Sequence, residues 1–230
     1  MNNFTLIIPT INTSDKYKNS VPIEFRYDNE TGEMNCIKAL NGIDISNFTK
    51  IIFVVLKEHN DKYNIYYKIE AAMKFHNIPY IVSIISKPTS SQVETVYQII
   101  NKYNIKGSIF IKDADNMCVI PTLTQTNSLL IYNIENLPIV DPQHKSYITL
   151  DEQNFVTNVI EKRVVSPIFN CGGYGFANVN DFIDAYNALN KYENVNTHLY
   201  ISHCIYWLIL NKNIKFRPIQ AIYYEDFEMN

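Results

Sequence analysis

Glycine is scarce in this chain: its 230 residues include only six, and none occurs among the first 31. The Walker phosphate-binding loop and the dinucleotide-binding fingerprint both need several glycines at fixed spacing, so both are excluded. Three of the six glycines fall in one tetrapeptide, Gly172-Gly173-Tyr174-Gly175. Glycines in an extended segment allow another backbone or a ligand to approach closely, which makes this tetrapeptide a candidate pocket wall.

Charged residues are also few, and neither sign dominates. They make up 19% of the chain, with a formal net charge of −3. Because there is no block of Lys or Arg, we do not expect this protein to bind nucleic acid mainly through charge. The four cysteines include no Cys-x-x-Cys pair, which indicates free thiols in a reducing cytoplasm.

Long apolar runs are absent as well. None approaches the ~18 residues needed to span a bilayer, and the N-terminus lacks the pattern of a secretory signal. We therefore expect a cytoplasmic protein with no membrane partner.

The five histidines show no zinc-ligand spacing, and no motif supports a serine or cysteine nucleophile. A hydrophobic content of 47% over this length favours a single domain, 1–230, with a substantial core.

The hydrophobic periodicity predicts an α/β protein. In the first half, short apolar runs alternate with helical patterns, which is typical of a mostly parallel sheet covered on both faces. Beyond residue 116 the pattern changes and predicts an antiparallel region. The predicted strands are 4–9, 51–56, 80–85, 108–111, 129–132, 147–150, 155–160, 168–176 and 221–224. The predicted helices are 34–40, 63–75, 91–103, 181–189 with Asn180 as its cap, and 197–210.

Polar clusters directly follow four of the predicted strands, and ligands of open α/β sheets collect beyond the carboxyl ends of parallel strands. The clusters are Pro9-Thr10, Lys57-Glu58-His59, Lys87 to Gln92 and Lys112 to Asn116. Each is a candidate contact for a ligand. Their coincidence at strand ends is more specific than any one cluster.

The fourth cluster carries the sharpest chemical signal. Asp113 and Asp115 lie two residues apart just beyond an apolar strand, with Asn116 adjacent. Two carboxylates at a strand end suit Mg²⁺ or Mn²⁺ that also contacts substrate phosphates. The alternative is a turn rich in Asp and Asn, which favour turns without any metal. Lys112 is a candidate for charge neutralisation of a polyphosphate, or a solvated surface lysine.

The third cluster leads into a helix N-terminus. The backbone amides of Ser90, Ser91 and Gln92 could bind a phosphate or a base edge with the help of the helix dipole. The alternative is a simple capping box formed by Ser91 and Glu94.

Two later segments also carry chemistry-bearing residues. Glu161 and Lys162 end a predicted strand and could bind a substrate hydroxyl pair and a phosphate; the alternative is an exposed charge run. The carboxylates in 223–226 could complete a metal site; the alternative is a frayed acidic terminus.

Taken in order along the chain, these segments resemble the sugar-phosphate nucleotidylyltransferases, and among them bacterial members used in capsule and surface-polysaccharide synthesis. The resemblance covers roughly residues 50–227. The matching stretches are Ile51 to His59, Lys87 to Val96, Ile109 to Asn116, Glu161-Lys162, Gly172 to Phe176 and Tyr223 to Phe227. It implies a GT-A-like, Rossmann-type three-layer sandwich. It also implies attack by a phosphorylated substrate on the α-phosphorus of a nucleoside triphosphate, with Mg²⁺ as cofactor and pyrophosphate as the leaving group.

The resemblance also implies roles for individual residues. Asp115 and Asp226 match the two metal-binding aspartates, and with Lys162 they are the expected catalytic residues. The expected binding residues are Pro9, Thr10, His59, Thr89, Ser90, Ser91, Gln92, Lys112, Asp113, Asn116, Glu161, Gly173 and Tyr174. The expected partners are a nucleotide and a small phosphorylated substrate, with a homo-oligomer left open.

The N-terminal segment departs from the family pattern. There the first strand is followed by a glycine-rich loop with a basic residue and then a Pro-Lys pair, and this chain has neither. Lys16, Lys18 and Arg26 are the candidates for the missing positive charge. Two alternatives therefore remain open. One is a GT-A glycosyltransferase that uses the Asp-x-Asp pattern at 113–115 to bind a nucleotide-sugar, and the other is a non-catalytic nucleotide-binding module.

Overall fold

The computed structural model describes residues 4–11, 20–137, 142–192 and 198–228. Within these ranges the strands are β1 (Phe4–Pro9), β2 (Lys50–Leu56), β3 (Tyr80–Ile85), β4 (Ser108–Lys112), β5 (Asn116–Val119), β6 (Ser128–Asn133), β7 (Ser146–Leu150), β8 (Val156–Glu161), β9 (Ile168–Phe176), β10 (Arg217–Gln220) and β11 (Tyr223–Asp226). The α-helices are α1 (Asn35–Lys38), α2 (Lys57–Tyr63), α3 (Ile65–Met73), α4 (Gln92–Lys102), α5 (Val179–Leu189) and α6 (Ile201–Lys212).

One mixed sheet dominates the described part of the chain. Its strand order is β10-β6-β9-β4-β1-β2-β3, and β7 joins it through β9 and carries β8. β1 is parallel to both β2 and β4, and β2 is parallel to β3, whereas β9 runs antiparallel to β4 and β6. β5 and β11 form a separate antiparallel ribbon. The sheet is therefore parallel from β4 to β3, and its antiparallel pairings are those of β9 and of β7 with β8, while β10 at the far edge is again parallel to β6.

Helices cover both faces of this sheet. Side chains alternate across a strand, so Leu6 of β1 packs toward α3 with Ile69, whereas its neighbour Ile7 packs toward α4 with Val96. The second face also holds α5 and α6. The three-layer α/β fold class is thereby confirmed. No helix among the described residues is long and apolar enough to cross a bilayer.

Several local predictions were wrong. Helix α2 was not predicted, and the polar cluster Lys57-Glu58-His59 that directly follows β2 forms its first turn. Lys57 pairs with Asp61 one turn later, and Asn64 ends the helix in a left-handed conformation. The cap of α5 is Asn178, whose side chain accepts a hydrogen bond from the Asn180 amide, and not Asn180.

The sequence did not predict β5 or β10, and β11 begins at Tyr223 instead of Ala221. β10 contains Pro218 and pairs only with β6, so it is an edge strand in which a missing amide is tolerated. The predicted helix 197–210 begins at Ile201. Thr197, Lys16 and Lys18 lie outside the described residues.

Candidate active site

The polar clusters after β1, β2, β3 and β4 lie along one edge of the sheet, because these four strands are parallel. Beyond β4 the chain turns into β5, whose partner β11 comes from the far end of the sequence. Their register pairs Asn116 with Asp226, and the Phe227 amide donates to the Asp115 carbonyl at 3.0 Å. The ribbon thus places the late acidic segment beside the early one.

A cavity of about 350 Å³ opens at this place. The predicted site residues that line it are Asp113, Asp115, Asn116, Lys162, Tyr174 and Asp226. Gly172 of the predicted glycine tetrapeptide also lines it, and the lining residues that were not predicted are His144, Lys145, Ser146, Asn170, Tyr200, Tyr224 and Glu228. Carboxylates and lysine ammonium groups therefore meet in one concave site.

Asp115 is the half-buried carboxylate of this wall. Burial and the neighbouring carboxylates of Asp113 and Asp226 raise the pKa of Asp115 to about 6, although Lys112 and Lys145 oppose the rise. One of its oxygens, Oδ1, accepts a hydrogen bond from Asn116 Nδ2 at 2.8 Å. This hydrogen bond orients the Asp115 carboxylate.

Asp113 is held by internal hydrogen bonds. Its Oδ1 accepts from Gln92 Nε2 at 2.6 Å, and its Oδ2 accepts from the Tyr174 hydroxyl at 3.3 Å. Burial, with the Asp113 carboxylate second, raises the pKa of Tyr174 well above its usual value, so the phenol remains a donor. Asp113 thus joins the start of α4 to β9. Gln92 reaches the site through this bond.

Lys112 does not face the cavity, contrary to its predicted role with a polyphosphate. Its side chain is fully buried, and its ammonium donates to the carbonyls of Asp113 (2.8 Å) and Asn116 (3.0 Å) and to Asn116 Oδ1 (2.7 Å). A buried charge needs such partners, because transfer out of water is costly. Lys112 stabilises the turn that carries Asp113 and Asp115.

Lys145 was missed by sequence reasoning. Its ammonium forms an ion pair with Asp226 and donates to the Tyr224 hydroxyl at 2.6 Å. That hydroxyl donates to the same carboxylate at 3.3 Å. Nothing in the local sequence signals this arrangement, because Lys145 lies in a polar stretch just before β7 and meets Asp226 only through the fold.

Lys162 reaches the cavity from the end of β8, in a left-handed backbone conformation with φ of 57°. Its ammonium donates to the Tyr200 hydroxyl at 2.7 Å, and its amide donates to the Lys145 carbonyl at 2.8 Å. Glu161 does not line the cavity. Its Oε1 accepts hydrogen bonds from the hydroxyls of Ser146 and Ser202, which ties β7 to α6.

The third cluster, Lys87 to Gln92, forms the capping box that the sequence offered as the alternative to a ligand site. Ser91 Oγ accepts from the Glu94 amide at 3.2 Å, while the Glu94 carboxylate accepts from the amide and hydroxyl of Ser90. Thr89 is buried and shares a hydrogen bond with Thr95. None of these residues lines the cavity, although Gln92 beside them contacts its wall through Asp113.

The first two clusters lie along the same sheet edge but outside the cavity wall. Pro9 ends β1, and Thr10 is buried with its hydroxyl donating to the Val54 carbonyl at 2.7 Å. His59 packs edge-on against Phe25, and burial lowers the pKa of this histidine.

Within the glycine segment, Gly172 and Tyr174 line the cavity and Gly173 does not. A side chain at Gly173 would point at Leu130 in the core. Gly172 lines the cavity instead, with φ of +81°, and a Cβ there would lie 2.5 Å from Asn116 Nδ2. The close approach of β9 to the Asp113–Asn116 turn therefore requires glycine at 172.

No protein-family model matches the sequence, and no curated protein matches it. Solved structures do. A nucleoside-diphosphate-sugar pyrophosphorylase from Vibrio cholerae RC9 superposes with a TM-score of 0.71 at 17% identity, over 94% of this chain and 91% of its own. The chain shares the fold of this pyrophosphorylase.

Two further solved structures have the same fold. The inositol-1-phosphate CTP transferase from T. maritima gives a TM-score of 0.68 at 12% identity, over 96% of this chain and 88% of its own. A UDP-glucose pyrophosphorylase in complex with UDP-glucose gives a TM-score of 0.66 at 12% identity, over 96% of this chain and 91% of its own.

The donor set of the cavity fits a divalent cation. Among the described residues, no group of three His, Cys, Asp or Glu side chains is arranged to hold a metal by itself. Asp115 and Asp226 nevertheless present two carboxylates on one wall. Mg²⁺ is usually held by one or two carboxylates and completes its shell with phosphate oxygens and water. The pair therefore suits a cation that binds together with a phosphorylated ligand.

Proposed function

We propose that this protein is a Mg²⁺-dependent nucleotidylyltransferase, which joins a nucleoside triphosphate to a sugar phosphate or similar phosphorylated precursor and releases pyrophosphate. The observation that supports this most is the convergence of Asp115 and Asp226 on one cavity that also holds Lys145 and Lys162. A site with paired carboxylates and separate cations suits two phosphorylated ligands. The fold shared with a pyrophosphorylase and a CTP transferase supports the same reaction class.

In the proposed reaction, an oxygen of the substrate phosphate attacks the α-phosphorus of the nucleotide, and the bond to pyrophosphate breaks. Such transfers need positioning and charge neutralisation more than a covalent nucleophile. Asp115 and Asp226 would hold Mg²⁺, which when bound neutralises charge on the phosphate oxygens.

The protein's own groups would position the two substrates. Lys162 would leave the Tyr200 hydroxyl and hold the attacking phosphate. The Gln92–Asp113 bond would keep residues 89–92, the proposed base-recognition segment, at a fixed distance from Asp115. We also propose a cytoplasmic enzyme that supplies surface-polysaccharide synthesis, and four free, buried cysteines support a reducing compartment.

A pyrophosphate-release assay tests the proposal. The protein is incubated with Mg²⁺, each nucleoside triphosphate in turn and a panel of sugar 1-phosphates. One pair should release pyrophosphate. The variants Asp115→Asn and Lys162→Met should each lower kcat/KM by about 10²-fold or more, since the first removes a proposed Mg²⁺ ligand and the second removes a positive charge that would hold a phosphate.

Lys212→Met is the matched control, because Lys212 is an exposed lysine on α6 that pairs with Asp184 of α5. It should leave turnover unchanged. No pyrophosphate from any pair, together with no nucleotide binding by calorimetry, would contradict the proposal.

The alternatives appear as other outcomes of the same experiments. Transfer from a nucleoside-diphosphate sugar without pyrophosphate release would indicate a glycosyltransferase. Nucleotide-dependent thermal stabilisation without turnover would indicate a binding module. The geometry does not favour an Asp-x-Asp metal site, because both oxygens of Asp113 accept internal hydrogen bonds.

A further inference from the structure

The ammonium group of Lys145 sits on one of the two carboxylates that would hold the divalent cation. It pairs with Asp226 and donates to the Tyr224 hydroxyl, which bonds to that same carboxylate. The side chains are only 12% and 21% exposed for Lys145 and Asp226. The ion pair is therefore screened by salt much less than a surface pair would be.

Two aromatic rings hold the ammonium in place. Lys145 Nζ lies 5.0 Å from the ring centroid of Tyr224 and 5.6 Å from that of Phe169, within the range of cation–π attraction. The two rings pack edge to face at 5.2 Å. Both belong to the buried core, so the position of the ammonium is determined by packing and not by a chance surface contact.

The charge of Lys145 also reaches Asp115. Lys145 and Asp115 line the same cavity, and the positive charge of the ammonium attracts the Asp115 carboxylate as well. The ammonium thus interacts with both carboxylates of the proposed metal site. A divalent cation on these oxygens would be repelled by the ammonium, and it would compete with it for the lone pairs of Asp226.

We propose that Lys145 is a positioning residue that occupies Asp226 in the ligand-free protein and turns to phosphate oxygens when nucleotide binds. The divalent cation and the nucleotide would then bind together, because the phosphates must replace Asp226 as the partner of Lys145. This inference rests on the proposed function. The movement needs only the flexible lysine stem, since the Lys145 carbonyl is anchored by the Lys162 amide at 2.8 Å.

Mn²⁺ binding followed by electron paramagnetic resonance tests the inference without turnover. In the absence of nucleotide, Lys145→Met should bind Mn²⁺ about tenfold more tightly than the wild type, since one competing positive charge is gone. Lys145→Arg, which keeps the charge, and Lys212→Met, which changes a distant lysine, should both match the wild type. Asp226→Asn should weaken binding.

The second measurement is coupling between metal and nucleotide. The α,β-methylene analogues of ATP, CTP, UTP and dTTP should each be titrated with Mn²⁺. An analogue that binds should tighten Mn²⁺ binding to the wild type more than to Lys145→Met. If Lys145→Met unfolds, as judged by thermal melting, Lys145→Gln replaces it in both measurements.

Equal Mn²⁺ affinity in the wild type and the neutral variant would overturn the inference, as would no Mn²⁺ binding to either. Pyrophosphate release by the wild type is measured separately. Turnover combined with equal Mn²⁺ affinities refutes this inference alone. Tighter Mn²⁺ binding by the neutral variant combined with no turnover refutes the proposed function alone.

Discussion

At the scale of single residues, the site depends on where a side chain is directed more than on its type. Lys112 and Lys145 are both lysines near the same aspartates, yet one is fully buried in a turn and the other faces the cavity. Gly172 and Gly173 are neighbours, yet only Gly172 contacts the Asp113–Asn116 turn. Substitutions at such positions should show whether a change acts by straining the backbone or by disturbing the site.

Gly172→Ala should destabilise the protein and weaken nucleotide binding. Alanine is strained in the left-handed backbone conformation of this position, and its Cβ would lie only 2.5 Å from Asn116 Nδ2. We expect a loss of about 2–4 kcal/mol in the free energy of unfolding, combining backbone strain with overpacking. Denaturant unfolding and calorimetry with nucleotide measure the two effects.

Gly32→Ala is the control for this substitution. Gly32 also has a positive φ, of +68°, but an added Cβ would meet no atom within 4 Å. Its cost should be only about 1 kcal/mol, from the backbone conformation. Equal losses for the two variants would show that the contact with Asn116 has no energetic importance.

At the scale of elements, the start of α4 and the β5–β11 ribbon converge on the Asp113–Asn116 turn. α4 begins at Gln92, whose side chain bonds to Asp113, and the cap at Ser91 determines where that first turn lies. β11 carries Asp226 to the turn. A change at either element should therefore alter the site without touching its carboxylates.

Ser91→Ala should lower stability by about 1 kcal/mol, because the Glu94 amide loses its side-chain acceptor. Asn178→Ala removes the equivalent cap of α5 and should cost a similar amount. Only the first should weaken nucleotide binding, since only α4 is bonded to Asp113. The comparison uses chemical denaturation and calorimetry; equal nucleotide affinity in both variants would argue against a role for α4.

At the scale of the whole molecule, one buried lysine ties the N-terminal third of the chain to its last strand. Lys38 of α1 donates to Asp28 and to Glu225 of β11, each at 2.7 Å, and its side chain is only 9% exposed. Removing a single partner from such a group leaves charge buried without compensation. Glu225 and Asp226 are neighbours on β11 and their side chains point to opposite faces of the strand, so the triad anchors the strand that carries Asp226.

Asp28→Asn should reduce the stability of the protein at neutral pH, and the variant should lose less of its remaining stability than the wild type as the pH falls. The hydrogen bond from Lys38, with further bonds from Thr31, holds the pKa of Asp28 well below its ordinary value of 3.8. The unfolded chain therefore binds a proton before the native state does. The contribution is fully present above pH 3.8 and is lost as the pH falls further.

Urea unfolding from neutral pH to about pH 2 measures this effect. The difference in the free energy of unfolding between the wild type and Asp28→Asn should become smaller below about pH 4. Asp61→Asn is the control, because Asp61 forms an exposed, solvent-screened pair with Lys57 and its replacement should leave the free energy of unfolding nearly unchanged. A gap that stays constant at every pH would contradict the expected role of Asp28.

Much of the fold could be predicted because its cues are local. The apolar runs of β1 to β4 and the capping residues of α4 act within a few positions of one another. β10 escaped prediction because Pro218 disrupts the usual pattern of a strand, and only the edge position makes it acceptable. Lys112 was misjudged because its residue type favours solvent, whereas its three oxygen acceptors are provided by the folded turn.

The sequence by itself determined the alternation of strand and helix, the placement of polar clusters at strand ends and the scarcity of glycine before β2. Only the tertiary structure decided that Asp226 and Lys145 meet Asp115, and that Gly172 rather than Gly173 faces them. The physical reason is one of range. Periodicity and capping depend on neighbours along the chain, whereas the site depends on pairing of β5 with β11 across the length of the sequence.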